Sequence, residues 1–320
     1  MRVETAALPA PGPGEAAVRL EACGVCHSDL FVAGLEKLPL TPLILGHEGI
    51  GRVTSVGPGV EHVRPGDRVG LTFLASTCGA CELCRNGLER YCPRQRNAGY
   101  TLHGALTTEA VTPAQHLVPV PGALDASLAA PLCCAGWTAY GALTTAALRP
   151  GQSVVLFGMG GLGHLALQYA RQLGLRTAAA DVSPEKLALA QDLGAEAALP
   201  AETASRTLQK EYGGMDAAIV FTGNTAAVEQ AFRSVQRTGT VVLVGLSSSQ
   251  YQLPLVDTVL KGICVRGSYL GTRADLEAVL RLAAAGIVQP HVSRHALEEA
   301  PAVLGRLRLG QIPGRAVIVF

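Results

Sequence analysis

Residues 153–173 read SVVLFGMGGLGHLALQYARQL, and the fold turns on how this stretch is read. Ser153 to Phe157 has the length and composition of a buried strand. Gly158, Gly160 and Gly163 follow as Gly-x-Gly-x-x-Gly. A helix is expected from about Leu162 to Leu173, with Leu162, Ala166, Tyr169, Ala170 and Leu173 on one face and Gly174 ending it. The triplet alone is weak, because a chain with 37 glycines matches it easily by chance. Its place between strand and helix is what gives it meaning. Gly158 allows the tight turn, Gly160 lets backbone approach a pyrophosphate, and Gly163 lets helix and strand pack closely. The helix N-terminus adds free N–H groups and positive potential for the phosphates.

The residues that follow keep the same rhythm. TAAA, DAAIVF, TVVLV and CVRGS read as further strands, with helices between most of them. One helix opens with Ser183 as N-cap and Pro184 in its first turn, and stops at Gly194. Regular alternation of strand and helix implies a parallel sheet covered on both faces. Asp181 ends the second strand, about 20 residues after the glycine turn, where a carboxylate accepts the ribose hydroxyls of NAD and repels a 2′-phosphate. The competing reading of Asp181 is an ordinary helix-capping residue. Lys186 lies within reach of the same ribose, with a solvated helix lysine as its alternative.

Before Trp137 the texture differs. The first third is rich in Gly and Pro, and VRLEA, GRVTSV and GDRVGLTF read as strands between turns. After Gly271 the chain carries one more helix, ADLEAVLRLAAAG, and a strand, AVIVF. Assigned to the first domain, this tail makes it discontinuous: residues 1–135 with 271–320, and a nucleotide domain at 136–270. The expected fold class is α/β, a Rossmann doubly wound parallel sheet beside a mostly β domain. No internal repeat or low-complexity segment stands out.

Within the first domain CGACELCRNGLERYC places Cys78, Cys81, Cys84 and Cys92 close together. Two overlapping Cys-x-x-Cys steps and a fourth Cys suit a tetrahedral, sulfur-only zinc site, which is structural because it has no open position. The alternative is a disulfide-stapled loop. Against it stand the odd total of nine cysteines and a start, MRVETAALPAPGPGEAAV, without the regions of a signal peptide. The chain is therefore read as cytoplasmic with reduced thiols. With 320 residues, 48% hydrophobic and 16% charged, it has room for two domains, and no apolar run reaches bilayer length. A net charge of +1 with scattered arginines gives little drive toward nucleic acid or a lipid surface.

A reactive metal needs about three protein ligands and an open position. GVCHSD offers Cys26, His27 and Asp29, LGHEG offers His47 and Glu48, and PLCCAGW offers Cys133 and Cys134. A Cys₂His set beside Gly-rich turns is plausible, but spacing does not choose among these residues, and a single Cys or His is more often core than ligand.

Taken together, GVCHSDL, GHEGIGRV, the four-cysteine lobe, NAGY, APLCCAGWTAY, GMGGLGHLALQYA, VLVGL, GSYLGTR and GQIPGR resemble the zinc-dependent alcohol dehydrogenases of the medium-chain dehydrogenase/reductase superfamily, in their microbial, yeast-like branch. The resemblance spans essentially the whole chain and implies that the mostly β domain is GroES-like. It implies Cys26, His47 and Cys134 as catalytic zinc ligands, Glu48 as an alternate ligand and Asp29 as the partner that orients His47. Ser28 would touch the substrate hydroxyl. His27 and Arg315 would contact the cofactor pyrophosphate, and Thr138 would lie against the nicotinamide. Gly161, Leu162, Val244, Ser268 and Leu270 would be further cofactor contacts. Cys133 falls where an aliphatic residue is usual and is read, like Cys23 and Cys264, as a core thiol.

The implied chemistry is reversible oxidation of a primary or secondary alcohol to an aldehyde or ketone, with two zincs per chain, NAD, and a homotetramer or homodimer joined through the edge near CVRGS. The chain departs from the family in several places. LFVAGLEKLP lacks the histidine that often ends the proton relay. Phe73 stands where a Trp is common, and Trp137 is large for its position, which implies a reshaped pocket. The start reads short by about one strand. Two other readings compete: an NADP-linked aryl or cinnamyl alcohol enzyme, which Asp181 opposes, and a zinc-ribbon protein for nucleic acid, which the charge opposes.

Overall fold

The structure, a computed structural model, describes residues 2–320. Contacts divide the chain into two units. One runs up to Trp137 and resumes at Thr272–Phe320, and the other is Thr138–Gly271. The helix Ala135–Ala146 carries the chain across the first boundary.

In the second unit six parallel strands lie in the order Ala197–Pro200, Arg176–Asp181, Ser153–Phe157, Met215–Val220, Val235–Leu243, Cys264–Gly267. Numbered within the unit this is 3-2-1-4-5-6, the Rossmann order, and the sequence direction reverses beside Ser153–Phe157, where the glycine turn emerges. Val155, Phe157, Ala178, Ala180, Ala218 and Val220 pack with Leu208 and Phe232 of the helices Ala204–Tyr212 and Thr225–Ser234. The intervening residues Val154, Leu156, Ala179, Ala217 and Ile219 are as deeply buried, so both sheet faces are covered.

Two expectations are corrected here. Ala197–Pro200 is a strand that the sequence reading left out. It is short, half-buried and ends in proline, as an edge position permits. The helix Gly163–Gln172 is not one-faced: Leu165 and Leu167 are buried along with Ala166, Tyr169 and Ala170, whereas Leu173 is 36% exposed. One side lies on the strands Ser153–Phe157 and Arg176–Asp181. Elsewhere on it the Tyr169 ring meets Tyr140 edge-on, with centroids 5.4 Å apart. Its first half is buried all round, while Arg171 and Gln172 at its end are exposed.

The first unit is built on a seven-stranded sheet in which the long strand Glu15–Val25 pairs with Gly49–Val56, Glu109–Pro113 and Arg315–Val319, all antiparallel. The tail therefore belongs to this unit by backbone pairing. Val292–His295 joins Arg315–Val319 in parallel at the edge. Cys23 faces Gly49 on one neighbour and Ile318 on the other, and Val25 faces Ala316. This register brings the end of one strand and the starts of two others to the same end of the sheet, so Cys26, the pair His47–Glu48 and Arg315 become neighbours. Trp137 is tied to the chain that re-enters this unit. Its Nε1 donates to the Thr272 carbonyl at 2.6 Å, and its buried ring lines a cavity of about 200 Å³ with Val63, Thr72, His116 and Arg273.

The glycines of the nucleotide turn differ in what surrounds them. A Cβ at Gly163 would lie 2.0 Å from the Gly158 carbonyl oxygen, whereas one at Gly160 would meet nothing within 4 Å. Gly163→Ala should therefore cost about 1–3 kcal/mol, and Gly160→Ala should leave stability within about 0.5 kcal/mol of the parent. Urea unfolding of both variants checks this, and equal losses would contradict the geometry.

Candidate metal and nucleotide sites

Cys26 ends the strand Glu15–Val25 and caps the helix His27–Ala33. Its Sγ accepts from Ser28 N at 3.5 Å, and its own N–H donates to Asp29 Oδ2 at 2.8 Å. This is a capping box with cysteine in the hydroxyl position. The other oxygen of Asp29 accepts from Gly46 N at 3.2 Å and from His47 Nδ1 at 3.1 Å. One buried carboxylate thus fixes both the Cys26 backbone and the His47 ring. With Nδ1 donating to Asp29, Nε2 is the ring atom left to act as a base or ligand. Nε2 is buried and has no hydrogen-bond partner. Phe73 packs edge-on against the same ring at 5.2 Å.

Cys134 follows the short helix Ala130–Cys133, whose Pro131 carbonyl accepts its N–H. Donor atoms of Cys26, His47, Glu48 and Cys134 all lie within 4.8 Å of one another, and all four residues are buried. An unpartnered imidazole nitrogen facing two sulfurs is costly without an ion and suits one with it. Two thiolates would also neutralise a dication, which a buried site needs. The electrostatics fit this grouping. A hydrogen bond from Cys134, helped by Arg315 and His47, pulls the Cys26 thiol well below its ordinary value against the penalty of burial. The same bond, with burial, pushes Cys134 up. Burial opposes protonation of His47, but the charge and hydrogen bond of Asp29 outweigh it and raise its pKa. Burial raises Cys23 and Cys133, so these remain neutral core thiols.

Arg315 has a partner that the sequence reading did not give it. It is 2% exposed and holds Glu48 through two hydrogen bonds, Nε to Oε2 at 3.1 Å and Nη2 to Oε1. Gly24 makes room for that carboxylate, since a Cβ there would lie 1.9 Å from Glu48 Oε2. Neither Arg315–Glu48 nor the double role of Asp29 was read from the sequence. The spacing Cys26-x-x-Asp29, a capping-box pattern, was the one available signal for the second. His27 is exposed and Ser28 half-buried on the same helix.

In the four-cysteine lobe the sulfur separations Cys78–Cys84, Cys81–Cys84, Cys81–Cys92 and Cys92–Cys78 are 3.9, 3.5, 3.9 and 3.5 Å. Tetrahedral zinc with Zn–S near 2.3 Å requires about 3.8 Å, whereas a disulfide requires about 2.05 Å. All nine cysteines are free thiols. Backbone N–H groups of Ala80 and Cys81 pull Cys78 down to about 5. Among the described residues these two clusters are the ones that bring together enough donors for a metal.

In the second unit Gly158 has φ +94°, the left-handed turn that favours glycine. Asp181 is buried at the strand end, and its Oδ2 accepts from Met159 N at 2.6 Å, its Oδ1 from Ser183 N at 3.0 Å. It therefore braces the glycine turn. A carboxylate has about four acceptor positions, so two remain. Lys186 is half-buried in the first turn of the next helix, whose Ser183 cap accepts its N–H. Gly161, Leu162 and Val244 are half-buried around the turn and the neighbouring strand end, while Thr138 is buried. Ser268 Oγ accepts from Thr145 Oγ1 at 3.3 Å. Leu270 takes φ +53°, and its carbonyl sits so close to Gly141 that a Cβ there would lie 2.2 Å away. Strain of this kind persists only where packing over-determines it.

Two family models match the chain: a zinc-binding dehydrogenase model over residues 161–285, and an alcohol dehydrogenase GroES-like domain model over residues 12–122. An alcohol dehydrogenase of Geobacillus stearothermophilus is 44% identical over 309 residues, 95% of this chain and 91% of that protein. Among solved structures, the alcohol dehydrogenase of the hyperthermophilic archaeon Aeropyrum pernix superposes with a TM-score of 0.92 at 32% identity, covering 100% of this chain and 96% of that one. The acetophenone reductase of Geotrichum candidum, solved in complex with NAD, gives a TM-score of 0.88 at 29% identity, covering 98% and 91%.

Asp29→Asn removes the charge that braces His47 and Cys26. Zinc affinity at that cluster should fall roughly 10–100-fold, read by competition with a chromophoric chelator, while the lobe ion is retained. Equal retention of both ions would remove the role given to Asp29.

Proposed function

The chain belongs to the zinc-type alcohol dehydrogenases of the medium-chain superfamily, and on that premise we propose that it oxidises alcohols reversibly to aldehydes or ketones with NAD as hydride acceptor. The observation that carries this reading is the unpartnered Nε2 of His47 beside the sulfurs of Cys26 and Cys134. Cys26, His47 and Cys134 would hold a catalytic zinc, and Cys78, Cys81, Cys84 and Cys92 a second, structural one. Zinc at the first position supplies Lewis acidity toward a hydroxyl oxygen.

The rest of the chemistry is assigned to the chain's own groups. Ser28 Oγ takes the proton of the substrate hydroxyl, and its position is fixed because its backbone N–H is tied to Cys26 Sγ. With no histidine in residues 30–39, onward transfer falls to water or to His27. Gly158, Gly160, Gly161, Leu162 and Gly163 would receive the pyrophosphate at the open helix N-terminus. Thr138, Val244, Ser268 and Leu270 would position the nicotinamide.

Asp181 supports NAD over NADP. Its carboxylate is buried and held by two backbone donors, so it cannot swing away from a 2′-phosphate that would repel it. The NAD-bound acetophenone reductase is a relative in keeping with this preference. Self-association is supported by one face of the second unit. The strand Cys264–Gly267 has one neighbour, and Leu246, Leu255, Val256, Val259 and Leu260, in the segment that precedes it, are each at least 70% exposed. Apolar surface of that density marks a protein contact, and a homodimer or homotetramer is the assembly proposed. Among the described residues no helix is long and apolar enough to cross a membrane.

Absorbance at 340 nm across primary, secondary, aromatic and polyol alcohols with NAD and NADP tests the proposal. The parent should reduce NAD with at least one class, Cys134→Ala should lose turnover while keeping NAD binding, and Asp181→Gly should admit NADP. Normal turnover in Cys134→Ala would end the ligand assignment, and an unchanged cofactor preference in Asp181→Gly would end the role of Asp181.

A further inference from the structure

Glu48 presents the structure with a competition. Its carboxylate is the fourth donor in the cluster of Cys26, His47 and Cys134, within 4.8 Å of the other three. A carboxylate so placed, next in sequence to a ligand and fully buried, would close a Cys₂His site into a four-ligand one. A closed site takes no substrate.

An opposing pull acts on the same carboxylate. Arg315 grips both oxygens of Glu48 with Nε and Nη2, in the bidentate geometry that makes guanidinium–carboxylate pairs strong. Both partners are buried, so the pair is little screened. The geometry is built in from three separate parts of the chain. The register Val25↔Ala316 delivers Arg315, the start of Gly49–Val56 delivers Glu48, and Gly24 leaves the space the carboxylate occupies. The charges divide cleanly as well, because two thiolates balance a dication and Arg315 balances Glu48. Moving Glu48 onto the ion would leave a buried guanidinium without its counter-charge, an arrangement proteins avoid.

We propose that Arg315 is a positioning residue that holds Glu48 away from the metal and keeps one coordination position open to substrate. The inference rests on the reading of Cys26, His47 and Cys134 as metal ligands, and it assigns to Arg315 a task in the first unit that requires no nucleotide.

The test uses the full-length protein with cobalt(II) in place of zinc and imidazole as an added ligand, followed by the visible absorption of the metal. In the parent, imidazole should shift the spectrum at the open position. In Arg315→Gln, Glu48 should occupy that position and the apparent imidazole affinity should fall about tenfold or more, by the fraction of sites left competent. Arg315→Lys, which keeps the charge without the fork, should show a smaller loss in the same direction. The double variant Arg315→Gln with Glu48→Gln should return to the parent affinity, which a merely structural role for Arg315 would not produce. If Arg315→Gln does not fold, Arg315→Lys alone decides between loss and no loss. Parent-like imidazole affinity in the folded arginine variants, or a double variant as weak as the single, overturns the proposal. Metal analysis separates this from failure of the ligand reading: a parent that binds one ion rather than two, with Cys134→Ala unchanged, would overturn that reading and the inference with it.

Discussion

The carboxylate of Asp29 is the constraint on which the metal cluster depends. It accepts from the backbone of Cys26, the backbone of Gly46 and the ring of His47, and is itself buried. Two of the proposed ligands are therefore set by one group, and the third, Cys134, is brought up by a short helix packed beneath the same strands. A buried carboxylate with three donors leaves little freedom to either ligand, which is the pre-organisation that a metal site needs. Around this anchor the charges alternate: Asp29 beside His47, thiol sulfurs beyond it, then Glu48 clasped by Arg315.

The second unit solves a different problem with a similar economy of parts. Its sheet order puts the glycine turn where the strand order reverses, the place in an open parallel sheet where two loops part and leave a crevice. Asp181 links the turn to the following strand through Met159 N, so the residue that would recognise the nucleotide sugar also holds the phosphate turn in shape.

Much of this was legible in the sequence because short-range chemistry wrote it there. The strand Ser153–Phe157, the three glycines, the Ser183 cap and the four-cysteine lobe each depend on neighbours within a few residues. The proposed ligand set was not legible from spacing, since Cys26 and His47 become neighbours through strand register and Cys134 through a short helix far along the chain. Resemblance alone named them. The Arg315–Glu48 pair spans 267 residues and left no local pattern. The strand Ala197–Pro200 and the second buried face of Gly163–Gln172 were missed for a related reason. Edge position and two-sided packing are properties of the assembled fold, set by partners distant in the chain.

The strand that completes the first unit, Arg315–Val319, follows the whole of the second unit in the chain. During translation the nucleotide unit has all of its strands before that one has left the ribosome. The earlier β segments must wait with Ala22–Val25 lacking the strand that pairs with it, exposing backbone that invites wrong partners. Glu48 waits as well, without the arginine that clasps it, so on the proposed reading a zinc ion arriving early would meet four donors rather than three. Late delivery of the arginine makes the order of events, metal before or after chain closure, a matter of how the newborn protein is handled in the cell.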